Sequence, residues 1–222
     1  MIPISENFDN YRSSFCLPAL LLNVRGLIYF ELQQEMTIDF YYTLVSCPSR
    51  AVLLAAKSIG VDLNLKLLDL KNGEHLKPEF LKINPQHTVP TIDDNGFAIG
   101  ESRAIITYLQ NQYGNDDSLY PKDPKKRALV DHRLYFDTGT LYSALAQCYF
   151  SDPKKIRDDP ETIQNIVKAL EIFDSLLNNL KFAAGDNFTL ADISLVVTVS
   201  TLDILGHDLS PYKKYSQMVC HS

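Results

Sequence analysis

The 222-residue chain lacks the marks of several function classes. Its four cysteines, Cys16, Cys47, Cys148 and Cys220, lie far apart and form no Cys-x-x-Cys pair. That spacing argues against a zinc ribbon or a disulfide scaffold and suits a reducing compartment. None of its five histidines falls in an H-E-x-x-H pattern, which excludes a zincin. Its nine glycines supply neither G-x-G-x-x-G nor a Walker loop, so those nucleotide folds lose their signature. There is no basic excess: the net charge is −6, without the footprint of a dedicated nucleic-acid binder. There is no long apolar run either. Leu17 to Phe30 is broken by Pro18, Asn23, Arg25 and Gly26, short of the roughly 20 apolar residues a spanning helix needs. A secretory leader wants basic residues at its start, where this chain has Glu6 and Asp9, and no clear cleavage site follows. Residues 1–35 are expected to be an extension outside the fold, and Met36 can serve as a second start.

What is present is a globular composition, 45% hydrophobic and 22% charged, enough for one or two sizeable cores. Ile38 to Tyr42 is aromatic and β-branched and predicts a strand. Pro48 suits the first position of a helix, with Val52, Leu53, Ala55, Ala56 and Ile59 as its stripe and Gly60 as its stop. Leu63 to Leu68 predicts a second strand. Val89 to Ile92 and Phe97 to Ile99 flank Asp93-Asp94-Asn95-Gly96, a turn cluster suited to a hairpin. Ser102 to Tyr113 predicts a helix stopped by Gly114. The order βαβ, hairpin, α makes a small α/β domain over residues 36–114. Residues 115–126, rich in Asp, Pro and Lys, read as a linker. Residues 127–222 read as all helical, with helices over 127–150, 160–180 and 190–205. Thr189 and Asp192 are spaced for a capping box.

Several motifs in this order resemble a cytosolic glutathione transferase: Phe40-Tyr41-Tyr42, Ser46 with Pro48, Asn84 to Thr91, and Glu101-Ser102-Arg103-Ala104-Ile105. Lys77 to Ile83, Arg133 to Asp137 and Ala183 to Asp186 strengthen it. The insect delta class is most similar and the epsilon class next. The resemblance runs from about Met36 to about Tyr212. It implies an α/β thioredoxin-like N-terminal domain followed by an all-α helical C-terminal domain. It also implies a cytoplasmic homodimer that conjugates glutathione to hydrophobic electrophiles in the detoxification of xenobiotics. Dehydrochlorinase or peroxidase side activity would draw on the same thiolate. Glutathione is then a co-substrate, and no further cofactor, metal, nucleic acid or stable membrane insertion is implied.

That chemistry needs a thiolate. A thiol of pKa about 8.5 is only about 3% ionised at pH 7, and lowering the pKa by two units takes about 2.7 kcal/mol. A hydroxyl donor and a helix N-terminus can supply much of it. By resemblance Ser46 is that donor, although a serine is also an ordinary turn residue. Val89 before a cis Pro90 would offer its N–H and C=O to the cysteinyl backbone like an added strand. From Val-Pro alone, a strand-edge proline is the plainer reading. His87, with Thr88 beside it, would face the glycyl carboxylate. His75 can serve the same end, or stand as a solvated surface histidine. Glu101 would pair with the α-amino group and Ser102 with the γ-glutamyl carboxylate. Arg103 would pair with that carboxylate or with a neighbouring subunit's acid. The electrophile pocket is expected at Tyr142, Leu145, Tyr149 and Phe150, although aromatics at helical spacing equally suit a core.

Two departures from the delta pattern stand out. Leu44-Val45 replace the usual Pro-Gly, which restricts the loop because only glycine reaches positive φ freely. Cys47 replaces an alanine directly before Pro48, where it would cap the helix. A cysteine at a helix N-terminus can be acidic, so a cysteine-dependent thiol transferase is a rival reading. The chain also ends soon after Tyr212, where the family continues through a further helix and tail. It is therefore expected to be truncated at the C-terminus, with stability and electrophile choice affected more than glutathione binding. A non-catalytic carrier of apolar ligands is the third reading.

Overall fold

A computed structural model of the chain describes residues 37–150, 159–178 and 180–215. The expectations for residues 1–35 and for the chain's last residues fall outside these. Strand β1 is Ile38–Tyr42, followed by helix α1, Cys47–Ile59, and strand β2, Leu63–Leu67. A 3-10 turn at Glu74–Leu76 leads to the short helix α2, Pro78–Ile83. Strands β3, Thr91–Asp94, and β4, Phe97–Gly100, form a hairpin, and helix α3 is Ser102–Tyr113. Then come α4, Pro124–Phe136, a π-helical turn at Asp137–Leu141, α5, Tyr142–Tyr149, α6, Pro160–Leu176, and α7, Leu190–Ile204. No helix among the described residues is long and apolar enough to cross a membrane.

The four strands pair in the order β2-β1-β3-β4. β1 and β2 run parallel, with Phe40 opposite Leu65, while β3 pairs antiparallel with both β1 and β4. This mixed sheet with its flanking helices is the thioredoxin-like half. The β3–β4 turn is Asn95-Gly96, with φ of 53° and 93°, the two left-handed residues a tight hairpin requires. Gly60 ends α1 at φ 85° and donates to Ala56 and Lys57 carbonyls. Helix α2 covers the other face of the sheet, where Phe80 meets Tyr41 edge-on at 5.4 Å.

One apolar core runs through both halves. Phe40, Val52, Ile92, Ile105 and Leu109 from the sheet side join Leu141, Leu145, Phe173, Leu190 and Leu202 from the helices. Polar ties cross the same boundary: Arg50 on α1 donates to Thr201 Oγ1 on α7 at 2.6 Å. Helix α7 starts on the expected capping box, with the Thr189 N–H donating to Asp192 Oδ2 at 2.8 Å.

The structure differs from the sequence reading at three helices. The cap of α1 is Ser46, not Cys47: Ser46 Oγ accepts the Ser49 N–H at 3.2 Å, and Cys47 is the first helical residue. Helix α4 begins at Pro124, inside the segment read as linker, because the Asp123 carboxylate accepts the N–H groups of Lys125 and Lys126. The single helix expected over 127–150 runs without interruption from Pro124 to Tyr149, but it carries a π-helical turn at Asp137–Leu141, whose middle residue is Gly139.

Candidate functional site

Three element ends meet at one place. The first is the N-terminus of α1. The turn before it closes by a bond from the Ser46 N–H to the Thr43 carbonyl at 3.1 Å. Neither Leu44 nor Val45 takes a positive φ, so the loop closes without the glycine expected there. Ser46 Oγ is engaged as an acceptor by Ser49, which leaves its hydroxyl proton free to donate outward.

The second is the segment before β3. The Val89–Pro90 peptide is cis. Because β3 begins at Thr91, the Val89 N–H and C=O stay outside the ladder. Asn84 braces this segment by donating to the Thr88 carbonyl at 3.2 Å and to Thr91 Oγ1 at 2.8 Å.

The third is the N-terminus of α3. Glu101 sits at the cap position with φ 62° and makes no side-chain cap bond. A non-glycine residue at that φ is strained, which marks the position as one where backbone direction matters. Ser102 is 2% exposed, and its Oγ accepts from Arg103 Nη1 at 2.9 Å, again leaving its own proton to donate. Pro48, Thr88, Val89, Pro90, Glu101, Ser102 and Arg103 line one cavity of about 180 Å³ with Thr138 and Tyr142.

Beneath the cavity lies a charged network that sequence reasoning missed. Arg103 Nη2 donates to Asp137 Oδ2 at 2.5 Å, and Ser194 Oγ donates to the same oxygen at 2.5 Å. Arg103 was expected to meet the ligand or a neighbouring subunit's acid; its acid here is Asp137 of its own chain. The guanidinium also stands 5.1 Å over the Tyr142 ring. Asp137 lies in the π-helical turn and is fully buried. Its place within Arg133 to Asp137 was the one sequence signal that could have drawn attention to it.

At the other end of the segment, the His75 and His87 rings stand 6.2 Å apart. His75 Nδ1 is buried and has no hydrogen-bond partner.

Of the four residues expected to form an apolar pocket, Tyr142 alone lines this cavity. Tyr142 lines the cavity, and its phenol is held protonated by burial. Leu145 is in the core with no exposure, because its side chain meets the inner face of the helical half. The Tyr149 hydroxyl bonds His207 Nε2 at 2.7 Å, and Phe150 is exposed at the end of α5.

Cys47 is 2% exposed, packs against Ala51 and Val197, and lies 3.7 Å from Thr198 Oγ1. Burial pushes its thiol pKa up, which is the reverse of what a reactive thiolate needs. This burial disfavours thiol-transferase chemistry through Cys47. No cluster of three or more His, Cys, Asp or Glu side chains among the described residues could hold a metal ion.

Comparison with known proteins matches both halves. Residues 40–117 match the family model for the glutathione S-transferase N-terminal domain, and residues 140–219 match that for the C-terminal domain. A delta-class glutathione transferase of Nilaparvata lugens is 54% identical, over 82% of this chain and 85% of that one, with a TM-score of 0.78. A Bombyx mori glutathione transferase is 45% identical, over 83% and 86% of the two chains, with a TM-score of 0.79. An epsilon-class glutathione S-transferase from the housefly, Musca domestica, is 40% identical over 82% and 85%, with a TM-score of 0.75.

Proposed function

This chain belongs to the glutathione transferase family, with glutathione as its co-substrate, and on that premise we propose that it joins the glutathione thiolate to hydrophobic electrophiles. The setting is detoxification of xenobiotics in the cytoplasm. Residues 36–114 hold glutathione, the segment from 115 to the Asp123 cap links the halves, and the helices from Pro124 onward complete the site. The observation that carries the reading is the cavity itself. It brings the first turn of α1, the Val89 peptide groups and the N-terminus of α3 around a space of about 180 Å³.

Each residue then has a task. Val89, ahead of cis-Pro90, pairs with the cysteinyl backbone, which lays the ligand along the sheet edge. Glu101 takes the α-amino group and Ser102 the γ-glutamyl carboxylate. The α3 N-terminus, whose free N–H groups favour an anion, and the nearby Arg103 support that carboxylate. His87 and His75 receive the glycyl carboxylate, with Thr88 between His87 and the cavity. This places the sulfur at the α1 N-terminus. The glutathione thiol releases its proton to solvent, and Ser46, oriented by its cap bond, donates a hydrogen bond to the sulfur and holds it as thiolate; it does not attack. The thiolate attacks the electrophilic carbon, the carbon–sulfur bond forms, and the leaving group departs with its electron pair. Dehydrochlorination and peroxide reduction would use the same thiolate.

A homodimer is part of the proposal, supported by Leu129 and Tyr135 of α4, both exposed. The test is turnover of a generic aromatic electrophile with glutathione by the full chain, alongside a calorimetric glutathione titration. Saturable turnover with specific binding is expected. A folded sample that binds no glutathione would overturn the site assignment.

A further inference from the structure

We infer that Asn84 is a positioning residue for glutathione binding, and that Gly100 is a glycine so that the Asn84 amide can lie against it. This rests on the proposed glutathione site.

The first observation is how fully the amide is used. Asn84 follows helix α2 and is 5% exposed. A buried amide is costly unless its polar atoms are bonded. Its Oδ1 accepts the Gln86 N–H at 3.0 Å. Its Nδ2 donates to the Thr88 carbonyl and to Thr88 Oγ1, each at 3.2 Å, and to Thr91 Oγ1 at 2.8 Å. These side-chain bonds all run to the segment that carries Val89 and Pro90.

The second observation is what those bonds aim. Thr91 is fully buried, and its Oγ1 also donates to the Thr88 carbonyl, at 2.9 Å. Two donors therefore hold that one oxygen. The Thr88 carbonyl and the Val89 N–H belong to one planar peptide unit. This unit is trans, so the two groups point in opposite directions. Holding the carbonyl on Asn84 and Thr91 turns the Val89 N–H away from them. Thr88, Val89 and Pro90 line the cavity, and Asn84 is not among its lining residues. Asn84 thus sets the direction of the N–H offered to the cysteinyl backbone without touching the ligand.

The third observation is Gly100, which pairs with Thr91 in the β3–β4 ladder. Its φ lies outside the left-handed region, so its backbone does not demand a glycine. Space demands it: a Cβ there would stand 3.2 Å from Asn84 Nδ2 and 3.6 Å from Gln86 Oε1. The next residues are Glu101 and Ser102, which line the same cavity as Val89. One amide therefore lies between the two backbone stretches that the ligand must reach together. Val89 meets its cysteinyl part, and Glu101 and Ser102 meet its γ-glutamyl part. A ligand that bridges two anchors already in place loses less freedom on binding.

Ser46 stands apart from this arrangement. It heads α1, and its turn and cap bonds run to Thr43 and Ser49. Loss of the amide should therefore weaken glutathione binding and leave the bond to the sulfur in place.

The test compares Asn84→Ala, Gly100→Ala and the double variant in the full chain. Calorimetry gives the glutathione Kd, turnover of a generic aromatic electrophile gives KM and kcat, and melting curves set a temperature at which each variant is folded. Asn84→Ala should raise Kd and KM about tenfold, the scale of one to two net hydrogen bonds. Its kcat at saturating glutathione should stay within about twofold of wild type, because the interaction lost is one of binding. Gly100→Ala, which pushes the amide off its bonds, should raise Kd about threefold. The double variant should bind no more weakly than Asn84→Ala, since the added methyl then has no amide to displace. If Asn84→Ala does not fold, Asn84→Asp takes its place: it keeps the acceptor for Gln86 and loses the donor to Thr88. A folded Asn84 variant with unchanged Kd overturns the inference and leaves the amide a purely structural contact. A fall in kcat at unchanged KM, or fully additive losses in the double variant, overturns it too. Failure of folded wild-type protein to bind glutathione would instead overturn the site reading beneath it.

Discussion

Replacing Asp137 separates what the buried network does for the fold from what it does for the ligand. Asp137 is fully buried and holds two donors on one oxygen, Arg103 Nη2 and Ser194 Oγ, each at 2.5 Å. Arg103 in turn donates to Ser102, at the cavity wall. Asp137→Ala leaves a guanidinium with only 13% of its side chain exposed without its counter-charge. Breaking a buried pair in this way costs about 3–5 kcal/mol. At about 2–4 °C per kcal/mol for a chain of this size, the Tm should fall by roughly 6–20 °C. Asp137→Asn keeps the shape and one acceptor, so the loss should be nearer 1.5–3 kcal/mol, that of a charge-assisted hydrogen bond. Both variants free Arg103 to swing away from Ser102, so glutathione should bind more weakly even at temperatures where the variants stay folded. Melting curves with parallel calorimetric titrations read both effects. A Tm within about 2 °C of wild type together with unchanged affinity would refute the reasoning. It would mean that the Arg103–Asp137 bond is a passive contact.

Ser102→Ala should weaken glutathione binding by about 1–3 kcal/mol, since a hydrogen bond to a charged group is lost. If Ser102 served only the start of α3, the melt would drop by about 1 kcal/mol with affinity unchanged, and paired melting and binding curves separate the two. Cys47→Ala should leave conjugation close to wild type, and the native thiol should resist alkylation at neutral pH because burial raises its pKa; rapid labelling would contradict its placement. Burial lowers the His207 pKa, so its folded-state pKa lies below that of the unfolded chain. The neutral ring then contributes stability above about pH 6.5, lost as pH falls through the folded pKa because the unfolded state binds the extra proton. His207→Gln should flatten the acid side of the stability profile between about pH 7 and 5, and an unchanged slope would show that other groups carry it.

Much of the fold is legible in short-range pattern, because local chemistry decides it. Aromatic and β-branched residues mark Ile38–Tyr42, Asn95-Gly96 sets the hairpin, and Thr189 with Asp192 caps α7. The π-helical turn at Asp137–Leu141 is not legible. Thr138-Gly139-Thr140 carries no proline, and the apolar period continues across it. Helical spacing also puts Tyr142 and Leu145 on one stripe without saying where along it the core ends and the cavity begins. The Arg103–Asp137–Ser194 network joins residues 34 and 57 positions apart, which only the packing of α3, the π-helical turn and α7 brings together. The Ser46, Val89-Pro90 and Glu101-Ser102 positions could be picked out because each sits at an element end with its own sequence signature. The Cys47 rivalry could not be decided from sequence, because burial, not position at the helix start, sets that thiol's pKa.

The central claim is that Ser46 holds glutathione as a thiolate. The direct measurement is the pH titration of the thiolate's ultraviolet absorbance for glutathione bound to wild-type protein, to Ser46→Ala and to Cys47→Ala. In the wild type and in Cys47→Ala the bound thiol should titrate about two units below its free value of about 8.5. In Ser46→Ala it should return at least one unit toward that value, with conjugation at neutral pH falling about tenfold and recovering as pH rises. A bound thiol that titrates identically in wild type and Ser46→Ala, or one that loses its depressed pKa only in Cys47→Ala, would contradict the account.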